Sequence, residues 1–412
     1  MLALADSTAA LSFRLANSRN PHHDNDSLNW LWSGILRRTS CLRLILLVSF
    51  TAGMVISAPL WTNTRLYPLL PVAPRFPILP HPWDECLFVG MLFTLALSLR
   101  FYRVCIVIFL AGMVFLIFED QNRCQPWVYL YWVLLLFTLL PERVALPGCR
   151  LALSAVYVWA GVQKFNPEFS NEVAPFFVAP LAHWLPEWGM KMAQWSVAAA
   201  PVLEIFIGVG LWIPACRRAA IAVACVIHAT GLLLLGPLGN QFNAVVWPWN
   251  IAMVLLILTL FPAGDVGVAG LKDLLRSRPG LAISILFCLL PMMSYWGWWD
   301  SYLSFRLYSG NTARGSIFLS ERMSQLLPER LKQFVTPATV PADHPLHGRF
   351  MFDFRNWAEA ELGVPPIPEP RSYRSVAEYL TAYSADPADV LLLIQTPTGP
   401  IQVYELTRPQ HQ

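Results

Sequence analysis

The chain has 412 residues, 56% of them hydrophobic and only 13% charged. A soluble protein carries roughly twice that charged fraction, so the composition excludes a soluble globular domain and predicts a polytopic membrane protein. The net charge of +3 is small and the basic residues fall at the edges of apolar stretches, which excludes nucleic acid as a partner and leaves the lipid bilayer.

Residues 1–40 are polar and contain His22, His23, Asp24 and Asp26. The first long apolar stretch follows Arg37, Arg38 and Arg43 without a small-residue cleavage pattern, so it reads as a retained anchor. Nine spans are expected, at about 42–60, 85–99, 103–118, 126–141, 150–165, 192–214, 219–237, 243–262 and 281–299. The fifth is short enough to end in protein instead of lipid. The fold class is therefore an all-α membrane bundle over residues 41–299, after a polar segment 1–40 and before a small α+β domain at 300–412.

Orientation follows from the loop cations. One set of loops carries Arg37, Arg38, Arg43, Arg100, Arg103, Arg143, Arg150, Arg217, Arg218, Lys272, Arg276 and Arg278. The alternate set carries only Arg65, Arg75, Arg123, Lys164 and Lys191. The richer set belongs inside, which puts the amino terminus inside and the carboxyl-terminal domain outside.

Two outer segments break the pattern. Residues 59–82 hold seven prolines, a density that forbids a regular helix and favours an extended, ordered cover. Residues 166–191, with Trp184 and Trp188, are apolar but proline-broken, and read as a segment lying at the membrane interface. After Trp299 the charges return. Helices are expected at Ser320–Val335, Phe354–Gly363 and Ser375–Tyr383, and a β-hairpin at 390–396 and 401–406.

The eight cysteines form no CxxC pair or zinc spacing, so no metal is expected. Cys86 and Cys124 alone fall near the outer face and are the candidate disulfide, against a reading as two small buried apolar residues.

An ionisable side chain in a span costs about 2.5–3.5 kcal/mol at the helix centre, so it should face protein or water. Lys164, Glu204 and His228 meet that condition. Lys164 reads either as an interfacial anchor or as a partly buried base. Glu204 reads as a buttress or a functional carboxylate, and His228 as a helix–helix hydrogen bond or a site residue. Asn243, Trp247 and Asn250 form a fourth cluster, able to grip a ring or a headgroup or to serve as an aromatic belt.

The run Tyr157-Val-Trp-Ala-Gly-Val-Gln-Lys-Phe165 resembles the Tyr-x-x-Ala-Gly-x-x-Lys-Leu signature of the vitamin K-dependent γ-carboxylase superfamily and its bacterial HTTM members. DoxX-like membrane proteins share a similar Ala-Gly-x-x-Lys helix but have far fewer spans, so length favours the HTTM side. The resemblance implies a bacterial inner-membrane protein that uses a reduced, vitamin K-like quinone at the outer leaflet. Lys164 would be the base, Glu204 and His228 would line or buttress the cavity, and Trp159, Asn243, Trp247 and Asn250 would form its cofactor-binding wall. A peptide or protein glutamate would be the substrate. Gln163 stands where the vertebrate enzymes have a second lysine, and the outer domain is much smaller than theirs. A non-catalytic DoxX-like component of a redox or stress system is the alternative reading, and a proton-coupled transporter a second.

Overall fold

The computed structural model describes residues 38–262, 270–341, 343–384, 386–404 and 406. The expected polar segment therefore lies outside the described residues, apart from 38–40. Each expected span falls on a helix: α1 (Arg38–Ile56), α2 (Trp83–Leu97), α3 (Tyr102–Glu119), α4 (Pro126–Phe137), α5 (Glu142–Val162), α6 (Glu187–Gly210), α7 (Pro214–Leu235), α8 (Val246–Leu260) and α9 (Arg278–Trp296). Among the described residues six of these, α1, α3, α5, α6, α7 and α9, are long and apolar enough to cross a membrane. The other three are shorter. At 1.5 Å per residue, the 12 residues of α4 and the 15 of α2 and α8 rise only about 18–22 Å, short of a hydrocarbon core of about 30 Å.

Burial ranks the helices. In α5 the apolar window is 67% buried, against 17% in α6, so α5 is central and α6 lies at the periphery. Small residues let these two meet closely. A Cβ on Gly161 would lie 2.5 Å from Pro201 O, and one on Gly208 would lie 2.7 Å from Ser154 O. Helix α6 is divided near Ala199, where Pro201 has no N–H to continue the ladder. Its second half packs on α5 and α7, α7 packs on α8, and α8 on α1.

The proline-rich segment is ordered by buried charge. Arg123 is fully buried, ion-paired with Glu119, and donates to Leu60 O at 2.9 Å and Asn63 Oδ1 at 2.7 Å. Arg65 pairs with Asp120, and Asp84 accepts the Asn63 N–H at 2.6 Å. These bonds replace the helical ones that proline forbids.

Residues 314–404 form a five-stranded antiparallel sheet in the order β2-β3-β1-β4-β5, with β1 Arg314–Leu319, β2 Val335–Pro337, β3 Phe350–Phe352, β4 Val390–Gln395 and β5 Ile401–Tyr404. The expected hairpin is present, with Leu392 opposite Tyr404 and Gln395 opposite Ile401. Helices α10 (Phe354–Leu362) and α11 (Pro370–Thr381) pack beside it. The helix expected at Ser320–Val335 is instead two short turns, Glu321–Leu326 and Glu329–Lys332. Pro328 divides them, and Val335 opens β2.

This domain is docked on the loops at 59–82 and 120–125 and on the chain that follows α9. Arg371 holds Asp300 bidentately at 2.9 and 2.5 Å and donates to Gln121 Oε1 at 2.6 Å. Tyr67 packs on Trp357 with ring centroids 4.8 Å apart. The candidate pair Cys86 and Cys124 are both free thiols in this structure. Cys86 is exposed on α2, whereas burial, then the charge of Asp300, push the Cys124 thiol up to about 12.

Candidate functional site

Lys164 follows the last turn of α5, and its side chain folds back onto that helix. Nζ donates to Ala160 O at 3.1 Å and to Glu204 Oε2, across on α6, at 2.7 Å. The two side chains are 10% and 14% exposed, so the ammonium points into the bundle and not out to the headgroups. Two of its three N–H donors are used by the protein. The close approach of α5 and α6 at Gly161 and Gly208 is what brings the pair together.

A second chain of hydrogen bonds crosses three helices. Asn250 Nδ2 donates to Val246 O at 2.7 Å, which turns Oδ1 toward His228 Nδ1, also 2.7 Å away. An amide oxygen only accepts, so Nδ1 carries the proton and Nε2 accepts from the Tyr157 hydroxyl. His228 is thus bonded at both nitrogens and fixes the Tyr157 oxygen in place.

Both groups line one cavity of about 390 Å³ between α5, α6, α7 and α8. Its walls are mostly apolar, with Val156, Leu203, Ile227, Leu234, Trp249 and Met253 among them. Ser196 and Thr230 are exposed, and Val226 is 64% exposed, so the side between α6 and α7 opens outward. The roof comes from the chain after α9: Phe305, Leu307 and Tyr308 reach the same space, beside Asn243. Asn243 is held by its own N–H on Glu359 Oε1 at 2.7 Å and by Nδ2 on Tyr308 Oη at 3.0 Å. Burial pushes the Tyr308 phenol above its ordinary value, so it stays protonated and able to donate. Among the described residues no group of three or more His, Cys, Asp or Glu side chains is placed to hold a metal.

Of the residues singled out in the sequence, Lys164, Glu204, His228, Asn243 and Asn250 line this cavity. Trp159 and Trp247 do not. Trp159 packs against the core, and Trp247 turns its indole N–H to Leu235 O at 3.0 Å. Trp249, one helical face away from Trp247, takes its place on the wall. Sequence reasoning also missed Tyr157, although that residue opens the quoted motif. It missed Tyr308 as well, for which the sequence held no signal.

The DoxX family model matches residues 145–236. That stretch runs from α5 through α7 and carries Tyr157, Lys164, Glu204 and His228, and it stops short of Asn243 and Asn250. The match falls on the DoxX side of the resemblance, not on the HTTM side that length favoured. No curated protein and no solved structure matches the chain.

Gln163, the position that departs from the carboxylase pattern, has a structural task. Its Oε1 accepts from Arg306 Nε at 3.1 Å and Asn311 Nδ2 at 2.7 Å, tying the end of α5 to the carboxyl-terminal domain.

Proposed function

We propose that this chain is a DoxX-like inner-membrane component of a redox system, with its amino terminus inside and its carboxyl-terminal domain outside. Its cavity receives a lipid-soluble hydroxylated ring such as a quinol. The observation that carries this reading is the inward-facing Lys164–Glu204 pair in a mostly apolar cavity that opens between two membrane helices. Ligand sites of this kind run to about 300–1,000 Å³, mostly apolar with a few convergent polar groups. The opening between α6 and α7 suits a molecule arriving through the bilayer. The third Lys164 donor and the Tyr157 oxygen are the groups that a hydroxyl would meet.

The test is anaerobic titration of the protein in nanodiscs with decyl-benzohydroquinone, read by quenching of tryptophan fluorescence. Lys164→Met removes a charge-assisted hydrogen bond and is expected to weaken binding at least about tenfold. Equal affinity in wild type and variant would sink the proposal.

A second reading follows the γ-carboxylase resemblance, with Lys164 as the base that activates a quinol. Its support is that Lys164 Nζ lies in the cavity beside the Glu204 carboxylate. Quinol oxidation coupled to O2 uptake or CO2 fixation would then occur in wild-type membranes and vanish with Lys164→Ala. No lysine-dependent turnover would leave the non-catalytic component as the reading.

A further inference from the structure

Two groups on the cavity wall keep hydrogen-bonding capacity that the protein does not use. Asn243 is only 3% exposed, and its Oδ1 is a buried acceptor with no partner among the described residues. Beside it, Tyr308 Oη accepts from Asn243 Nδ2 at 3.0 Å, while its own O–H meets no acceptor among the described residues. A buried carbonyl without a donor is rare in proteins, and here it stands next to an unused hydroxyl donor.

The backbone makes an effort to hold both there. The described non-glycine residues with left-handed backbone are Gln241, Asn243, Phe305 and Tyr308, with φ of 50°, 51°, 59° and 56°. Three of these line the cavity. Asparagine tolerates that region, but a phenylalanine and a tyrosine adopt it only where their surroundings insist. The surroundings do insist. Tyr308 stands edge-on to Phe177 with centroids 5.6 Å apart, and Glu359 of α10 holds the Asn243 N–H.

We infer that Asn243 and Tyr308 form a second ligand subsite, built by the outer domain and the entry to α8, which reads a hydroxyl group. A hydroxyl can donate to Asn243 Oδ1 and accept from Tyr308 O–H together, whereas a carbonyl or ether oxygen satisfies only the tyrosine. This rests on the reading of the cavity as the site of a hydroxylated ring, and adds to it. The ring carries two oxygen substituents, one for the Lys164 pole and one for this pole. The outer domain is then part of the binding site and not an appendage.

The experiment compares decyl-benzohydroquinone, with two hydroxyls, and 4-decylphenol, with one, on the full chain in nanodiscs. Wild type should prefer the dihydroxy probe about tenfold, the effect of roughly one well-made hydrogen bond. Tyr308→Phe keeps the ring and removes the donor, and should reduce that preference to near unity. Asn243→Gly accepts the left-handed backbone without strain, removes the acceptor, and should do the same. A parallel thermal melt confirms that each variant is folded. Equal binding of the two probes by wild type, or a preference that survives in both variants, overturns the subsite alone. Binding of neither probe overturns the subsite together with the reading on which it rests.

Discussion

A lysine 2.7 Å from a carboxylate, with only about a tenth of either side chain exposed, stabilises the fold mainly through what its removal leaves behind. Taking away one partner of a fully buried pair costs about 3–5 kcal/mol, because the other charge is stranded. The partial exposure of Lys164 and Glu204 lowers this to about 2–3 kcal/mol. Glu204→Leu and Lys164→Met should each lower the melting temperature in detergent. The double variant should recover much of the loss, so the cycle is strongly non-additive. Additive losses would mean that the pair is not formed. Tyr157→Phe is a milder change: it leaves His228 Nε2 without its donor, at a cost of about 1–3 kcal/mol.

At the scale of elements, the pairing depends on how closely α5 and α6 approach. Gly161 faces Pro201 O and Ile205 Cγ1, at 2.5 and 2.8 Å from a built Cβ, and Gly208 faces Val158 Cγ2 at 2.6 Å. Gly161→Ala should push the helices apart, cost about 1–3 kcal/mol of stability, and weaken ligand binding as well. Stability lost without any change in binding would show that the crossing does not position Lys164. The glycine of the Ala-Gly-x-x-Lys motif is therefore a packing device that serves the lysine. The motif was legible because Ala160 to Lys164 are consecutive in the chain. The salt bridge was not, because its partner is 40 residues away on another helix. Helix positions were legible from apolar runs, but crossing length was not. Composition fixes where α4 and α8 lie, while proline and the loop bonds fix where they stop. Trp247 and Trp249 show the same limit, since two residues apart on a helix they face different neighbours, and only packing selects one.

Across the whole molecule, the carboxyl-terminal domain is held by carboxylates that burial makes uncomfortable. The hairpin and α10 could be read from alternation and from the Gly363 stop. β1 could not, since Arg314–Leu319 has strand character only against β3 and β4. Docking was equally hidden. Burial holds the carboxyls of Glu359 and Glu369 above the ordinary range, although each accepts a backbone N–H, from Asn243 and Ser301, at 2.7 Å. Between the ordinary glutamate value of about 4.3 and these raised values, the folded chain binds more protons than the unfolded one, so stability falls as pH rises. Glutamine keeps the accepting carbonyl and cannot ionise. The Glu359→Gln, Glu369→Gln variant should melt above wild type near about pH 7, and the gap should close toward about pH 4. Asp389 works in the opposite sense. Burial raises its carboxyl, but bonds from Ser384, Ser320 and Arg322 outweigh this and hold it below the ordinary range. The stability it adds persists above about pH 4 and is lost as pH falls through its lowered value, so Asp389→Asn should flatten the acid limb alone. If the carboxyl-terminal domain roofs the cavity through Asn243 and Tyr308, the same pH rise that strains Glu359 should also loosen ligand binding. The double glutamine variant should abolish that dependence. Binding that stays pH-independent in wild type while the melt shifts would separate docking of the domain from closure of the site.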